Sequence, residues 1–248
     1  MSTLEGAVAV ITGASRGIGA ATARLFAEAG ARVVITHRDS AEAAERVRAS
    51  LPGAGHRVIR APAADTAAVE AAAASVAEQE RRLDVLVNNA AMTKVIPHGD
   101  LAALDDELFD AILKTNVRGP FAAVRAFRSL LAAGGGGLVV NVSSLAARMA
   151  GGSNVAYCAS KAALDNMTLS LARALAPEIR VLSVAPGLVD TDFTGGWDPA
   201  VRKRYLERTP LDRLATPEEV GRAVLAAATH LTATTGAVIP VDGGRPLG

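Results

Sequence analysis

The chain has 248 residues, half of them hydrophobic, with 26 Lys and Arg against 25 Asp and Glu for a formal net charge of +1. So even a balance gives no electrostatic footprint for nucleic acid or an anionic membrane, and 3% aromatics offer few base-stacking platforms. The apolar half excludes a disordered chain, and a single cysteine, Cys158, excludes a disulfide framework and a Cys-based zinc site.

No apolar run approaches the roughly 18–20 residues of a membrane span. Residues 1–6 carry no basic-then-apolar leader pattern. The expectation is a cytoplasmic globular chain with no metal, nucleic-acid or membrane partner. Along the chain, short β-branched runs alternate with helical segments. Residues 7–12 read as a strand, followed by a glycine turn and a helix over 17–29 that ends at Gly30. Next come a strand at 32–36, a helix near 41–49 and a strand at 56–60. Asp65 or Thr66 caps a helix to about Glu80, and 83–88 is a strand. A long helix spans 106–131, the glycines at 134–137 read as a turn, and 138–142 is a strand. A helix over 153–176 stops near Pro177, and a strand follows at 180–185. A segment rich in Gly and Pro leads to a helix from Thr216 and a last strand at 237–241.

Strands this apolar on both faces belong to a parallel sheet covered by helices on both sides. Seven such repeats predict an α/β fold: one doubly wound, Rossmann-type domain over residues 1–248, not a barrel, which needs eight. Ligands of such sheets bind beyond the carboxyl ends of the strands. There the first strand runs into Thr12-Gly13-Ala14-Ser15-Arg16-Gly17-Ile18-Gly19 and then a helix. Glycines let a backbone approach a pyrophosphate, and the helix end offers it free N–H groups and a positive dipole. On the helix at 153–176, Tyr157 and Lys161 are four residues apart and share a face. A cation beside a phenol is expected to lower its pKa and suit it to proton exchange with a carbonyl or alcohol oxygen. Ser143 and Ser144 both follow the strand at 138–142, where a hydroxyl could donate to such an oxygen. Asn116 is a poor helix former inside the long helix, which suggests a local kink.

The spacing of Gly13, Gly17 and Gly19 after Thr12, with Tyr157-Cys158-Ala159-Ser160-Lys161 downstream, resembles the short-chain dehydrogenase/reductase family over the whole chain. The chain broadly resembles members similar to 3-oxoacyl-carrier-protein reductases. The resemblance implies Asn116, Ser144, Tyr157 and Lys161 as the catalytic set, with Ser144 preferred to Ser143 by its spacing to the tyrosine and Asn116 holding a water that relays protons from Lys161. It implies cofactor contacts from Gly13, Ser15, Arg16, Gly17, Ile18, Gly19, Asn89, Ala90, Tyr157 and Lys161. Pro186, Gly187, Val189 and Thr191 resemble the segment along the nicotinamide. Two departures stand out. Ala91 replaces the glycine of Asn-Asn-Ala-Gly, and Pro62 stands where relatives place an aspartate against the adenine.

Thr36-His37-Arg38 ends the second strand without a carboxylate, so Arg38 and Arg16 favour the 2′-phosphate of NADP(H) over NAD(H); Asp39 keeps NAD open. The expected activity is hydride transfer between NADP(H) and a ketone or secondary alcohol, a 3-oxoacyl thioester among the possibilities. The alternatives are an NAD-dependent dehydrogenase of a sugar, polyol or hydroxy compound, and a dinucleotide sensor without catalysis. A specificity loop at about 188–208 carries Phe193 and Trp197, which predicts an apolar substrate edge. Relatives that serve an acidic acyl carrier often place basic residues beside the cleft, where this chain has the glycines 134–137 and Glu178. A homotetramer, or a homodimer, through the helices at 106–131 and 153–176 is implied by the resemblance.

Overall fold

Seven β-branched runs form the seven strands of one sheet in this computed structural model, which describes residues 4–189 and 199–247. They are β1 (Val8–Ile11), β2 (Arg32–His37), β3 (Arg57–Arg60), β4 (Val85–Asn88), β5 (Gly137–Val142), β6 (Ile179–Pro186) and β7 (Val238–Val241). Every pairing is parallel, in the order β3-β2-β1-β4-β5-β6-β7. The order reverses between β1 and β4, which opens a crevice at their carboxyl ends.

Alternation along the strands explains why both faces need cover. Ala9, Ile11, Val33, Ile35, Val87 and Val140 point to one side, where α1 (Gly17–Glu28), α2 (Ala41–Ser50) and α9 (Pro217–Thr229) pack through Phe26, Ala44 and Val224. Val8, Val10, Val34, Leu86 and Val139 point to the other. They are covered by α3 (Thr66–Glu80), α5 (Gly119–Ala133) and α7 (Val155–Leu175) through Val76, Phe127 and Ala172. Phe26 and Phe127 are fully buried, each stabilising its side by roughly 1.5–3 kcal/mol. Gly221 of α9 lets that helix sit against α1, since a Cβ there would meet Leu25 Cδ1 at 2.8 Å.

Several boundaries differ from the sequence expectation for local reasons. β4 begins at Val85, because the Leu83 N–H turns aside to Leu130 O. The expected helix over 106–131 is α4 (Asp106–Leu113), a π-helical turn (Lys114–Arg118) and α5. Two short helices arise where none is expected, α6 (Ala146–Met149) and α8 (Pro199–Glu207). Among the described residues no helix is long and apolar enough to cross a membrane, and no group of ligating side chains could hold a metal.

Candidate active site

The glycine loop is built by close approach. Gly13 has φ +65°, and a Cβ there would lie 2.9 Å from Ala90 Cα. A Cβ on Gly19 would meet Asn89 Nδ2 at 2.6 Å and Ala14 Cα at 2.8 Å. Asn89 holds the loop: its Nδ2 donates to Thr12 O (2.9 Å) and Gly13 O (3.1 Å). Thr12 Oγ1 in turn accepts from the N–H groups of Asn89 and Ala90, both at 3.0 Å. The Asn89 amide is therefore spent on the loop itself. Arg16 is the N-cap of α1 in extended conformation; no side chain caps the first-turn N–H groups and no acid sits there. Free N–H groups at a positive dipole end, with open space over Gly17, fit the diphosphate of a dinucleotide. Ser15 and Ile18 are half-buried in the same loop, and Arg16 is exposed.

At the carboxyl end of β5 the sequence-derived set comes together. Ser143 is buried with its Oγ turned to Lys161 O (3.5 Å), whereas the Ser144 hydroxyl acts on the Tyr157 phenol and favours its ionised form. Lys161 is buried, its Nζ donating to Val142 O at 2.8 Å and standing 5.7 Å from the centre of the Tyr157 ring. Asn116, buried in the π-turn, spends its amide on protein. Its Oδ1 accepts from Met92 N (2.9 Å), and its Nδ2 donates to Met92 O (3.0 Å) and Ser160 Oγ (3.1 Å).

The electrostatics correct one expectation. Tyr157 is enclosed around its hydroxyl, and desolvation pushes the phenol above its usual value. The Ser144 hydroxyl opposes this, and the neighbouring Cys158 adds to the upward shift. The same burial drives Lys161 down to about 8, with the Asp165 carboxylate pulling the other way. Loss of water outweighs the Ser144 hydroxyl at Tyr157 and the Asp165 charge at Lys161.

Beyond β6, Pro186 O accepts from Leu145 N (2.8 Å), Gly187 N donates to Val241 O (3.0 Å), and Val189 is buried. A Cβ on Gly187 would touch Asp242 Cα at 3.0 Å. Thr191, Phe193 and Trp197 lie outside the described residues. At the other end of the crevice a basin of about 590 Å³ is lined by Arg38, Arg60, Lys114 and Arg118, with Asp39, Pro62 and Asp65. Arg118 ties the rim together through Thr66 Oγ1 (2.9 Å) and Ala64 O (2.8 Å). Arg38 Nε pairs with Asp39 Oδ2 at 2.5 Å. Asp65 caps α3, its Oδ1 accepting from Ala68 N at 3.1 Å, and is exposed at the rim of the basin beside Pro62. Ala91 is not among the positive-φ residues, so no glycine is needed there. His37, 6% exposed, buries an Nδ1 without a hydrogen-bond partner.

Sequence reasoning did not single out Asn154, Ser160 or the cations Arg60, Lys114 and Arg118, and gave Thr12 only as the start of the glycine motif. Asn154 carried a readable signal, a helix-capping residue three positions before Tyr157. The others depend on chain segments that only the fold brings together.

A parallel doubly wound sheet that opens its crevice between a glycine cradle and a half-buried tyrosine one turn from a buried lysine is the architecture of a dinucleotide-dependent oxidoreductase. The family model described as enoyl-(acyl carrier protein) reductase matches residues 13–245. A Streptomyces violaceoruber protein named as ketoacyl reductase 2 of the granaticin polyketide synthase is 40% identical, over 98% of this chain and 97% of that one. Cis-4-hydroxycyclohexanecarboxylate dehydrogenase of Sinomonas cyclohexanicum is 39% identical, covering 96% and 95% of the two chains. A short-chain dehydrogenase of Burkholderia cenocepacia, solved in complex with NADP, superposes with a TM-score of 0.89 at 36% identity, covering 98% and 99%. The chain belongs to the short-chain dehydrogenase/reductase family and is an oxidoreductase.

Proposed function

We propose that this oxidoreductase is an NADP-dependent carbonyl reductase acting on a ketone, with the secondary alcohol as product. The observation that carries the reading is Tyr157 set beside Ser144, with the buried Lys161 one helical turn on and its Nζ 5.7 Å from the centre of the tyrosine ring. When bound, the nicotinamide supplies the hydride. Tyr157 gives its proton to the carbonyl oxygen, and its upward-shifted phenol is protonated at neutral pH, as a general acid must be. Ser144 donates to the same oxygen as charge develops on it. Lys161 would hold the nicotinamide ribose, and it places a positive charge 5.7 Å from the centre of the tyrosine ring. Asn116 fixes the π-turn, the local condition in which a backbone carbonyl loses its helical partner and can hold a water.

Gly13, Ser15, Arg16, Gly17, Ile18 and Gly19 would hold the diphosphate, Ala90 the ribose side, and Pro186, Gly187, Val189 and Thr191 the nicotinamide. Asn89 acts through the loop it ties. Arg16 and Arg38 would meet the 2′-phosphate, supported by the cationic basin beside them and by the NADP bound to the Burkholderia cenocepacia relative. An NAD reading has one observation in its favour: Asp39 is already paired with Arg38 and offers a carboxylate near the ribose site. The loop at 188–208 would select the substrate within a single domain, with Phe193 and Trp197 giving an apolar edge. A 3-oxoacyl thioester is the second substrate class, favoured by the ketoacyl reductase among the relatives. The single cysteine fits the cytoplasm, and assembly to a homotetramer or homodimer is proposed through α5 and α7.

Thermal-shift titration with NADPH and NADH, followed by NADPH oxidation against a set of cyclic and linear ketones and acetoacetyl thioesters, tests the reading. Selective stabilisation by NADPH with turnover of a ketone is expected, since a ligand that binds only the native state raises its stability. Stabilisation by NADH alone would reassign the cofactor. Stabilisation without turnover of any ketone or alcohol would favour a sensor.

A further inference from the structure

Tyr157 is the third residue of its helix, in the first turn, and its backbone N–H and carbonyl are each held by a side chain three residues away. Its N–H donates to Asn154 Oδ1 at 2.7 Å, so Asn154 is the N-cap of α7. Its carbonyl accepts from Ser160 Oγ at 2.7 Å, and Ser160 Oγ accepts from Asn116 Nδ2. Asn154, 1% exposed, also reaches outward. Its Nδ2 donates to Lys94 O at 2.7 Å and to Thr93 Oγ1 at 3.3 Å, in the loop that joins β4 to α4. The same loop is bonded at Met92 to Asn116. The hydrogen bonds thus close a circuit from the Tyr157 N–H, through Asn154, residues 92–94, Asn116 and Ser160, back to the Tyr157 carbonyl.

Neighbouring residues strengthen the join. Thr93 Oγ1 and Ser153 Oγ are 2.5 Å apart, Ile96 N donates to Ser153 O at 2.7 Å, and His98 Nε2 lies 3.2 Å from Gly152 O. Residues 92–98 have no helix or strand of their own, so these bonds and the buried Ile96 side chain are what order them. An ordinary N-cap needs only the side-chain oxygen of Asn154. Here both hydrogens of its amide are also used, on a different segment.

We infer that Asn154 is a positioning residue that clamps the Tyr157 turn to the loop at 92–98, so that the two walls of the site keep one geometry. This rests on the proposed role of Tyr157 as proton donor. A reacting group displaced by about 1 Å costs on the order of 100-fold in rate.

Two variants separate the halves of the clamp. Asn154→Asp keeps an oxygen for the Tyr157 N–H but has no hydrogens for Lys94 O and Thr93 Oγ1; Asn154→Ala keeps neither. Amide hydrogen exchange on the full chain reads the two segments directly, and ketone turnover and NADPH affinity are measured beside it. In Asn154→Ala, exchange should rise in both 93–98 and 155–158. In Asn154→Asp it should rise in 93–98 alone. The rate constant for turnover should fall about tenfold or more in Asn154→Ala and remain several-fold low in Asn154→Asp, with NADPH affinity within about threefold of the parent. Unchanged exchange of 93–98 in both variants, or full turnover in Asn154→Asp, would reduce Asn154 to a helix cap and overturn the inference. If Asn154→Ala does not fold, Asn154→Asp alone decides between these outcomes. Failure of the parent chain to reduce any ketone would overturn the function proposed above, while the exchange pattern would still decide the clamp.

Discussion

Burial moves Tyr157 and Lys161 in opposite directions on the pH scale, the phenol upward and the ammonium down to about 8. Both shifts favour the uncharged form, as desolvation must. The pair was legible in the sequence because four residues along a helix bring side chains to one face. The direction of the tyrosine shift was not, since enclosure depends on what the fold packs around the hydroxyl. Tyr157→Phe removes only that hydroxyl. It should abolish ketone turnover while NADPH affinity stays within a few-fold, measured by titration of the purified variant; retained turnover would refute Tyr157 as the donor. Lys161 gives a second test through stability. Its folded pKa lies below the unfolded value of 10.5, so between about pH 8 and 10.5 the unfolded chain binds more protons and this group's contribution to stability rises with pH. Below pH 8 its full cost of about 3 kcal/mol is present. Lys161→Met lacks that titration. Measured by urea unfolding, its stability relative to the parent should therefore fall by about 3 kcal/mol from pH 7.5 to 10.5. A flat difference would mean that Lys161 is not desolvated as described.

Helix ends and loops position these groups, and here sequence reading was uneven. All seven strands were legible, because parallel strands buried on both faces leave continuous β-branched runs. The break of the 106–131 helix into a π-turn was visible only as the oddity of Asn116, whose anchor at Met92 lies 24 residues away in sequence. The helices α6 and α8 are short, with little periodicity to read. Two element-level tests follow. Gly19→Ala would drive a methyl into Asn89 Nδ2 and the backbone of Ala14 and Gly13. The loop must shift, so dinucleotide affinity should fall at least tenfold with a loss of about 1–3 kcal/mol in stability, read by titration calorimetry and denaturation. Unchanged affinity would mean that the diphosphate does not rest on this loop. Asp65→Ala should cost about 1 kcal/mol by uncapping α3, yet leave the preference between NADPH and NADH unchanged. A changed preference would show that Asp65 reads the adenosine after all.

At the scale of the molecule, the helices that frame the site also carry exposed apolar side chains. Phe121 on α5 is 44% exposed and Leu169 on α7 is 52% exposed, although both helices press their opposite sides into the same half of the core. Arg125 lies over the Phe121 ring and pairs with Glu70, so the patch on α5 has a polar border. Apolar patches with polar rims mark association surfaces, and stable ones bury roughly 1,200–2,000 Å² in total. A second copy meeting this chain through α5 and α7 would contact the helix that carries Tyr157, Ser160 and Lys161, so assembly is expected to stiffen it. Sedimentation should give a species at two or four times the 25.3 kDa subunit mass. Leu169→Glu should shift it towards the monomer, because a buried unpaired carboxylate opposes association. Turnover should fall with that shift and the melting temperature should become less dependent on protein concentration, as linkage between association and folding requires. A parent chain that sediments as a monomer at all concentrations would remove the interface, and equal turnover by dissociated Leu169→Glu would separate assembly from the geometry of the site.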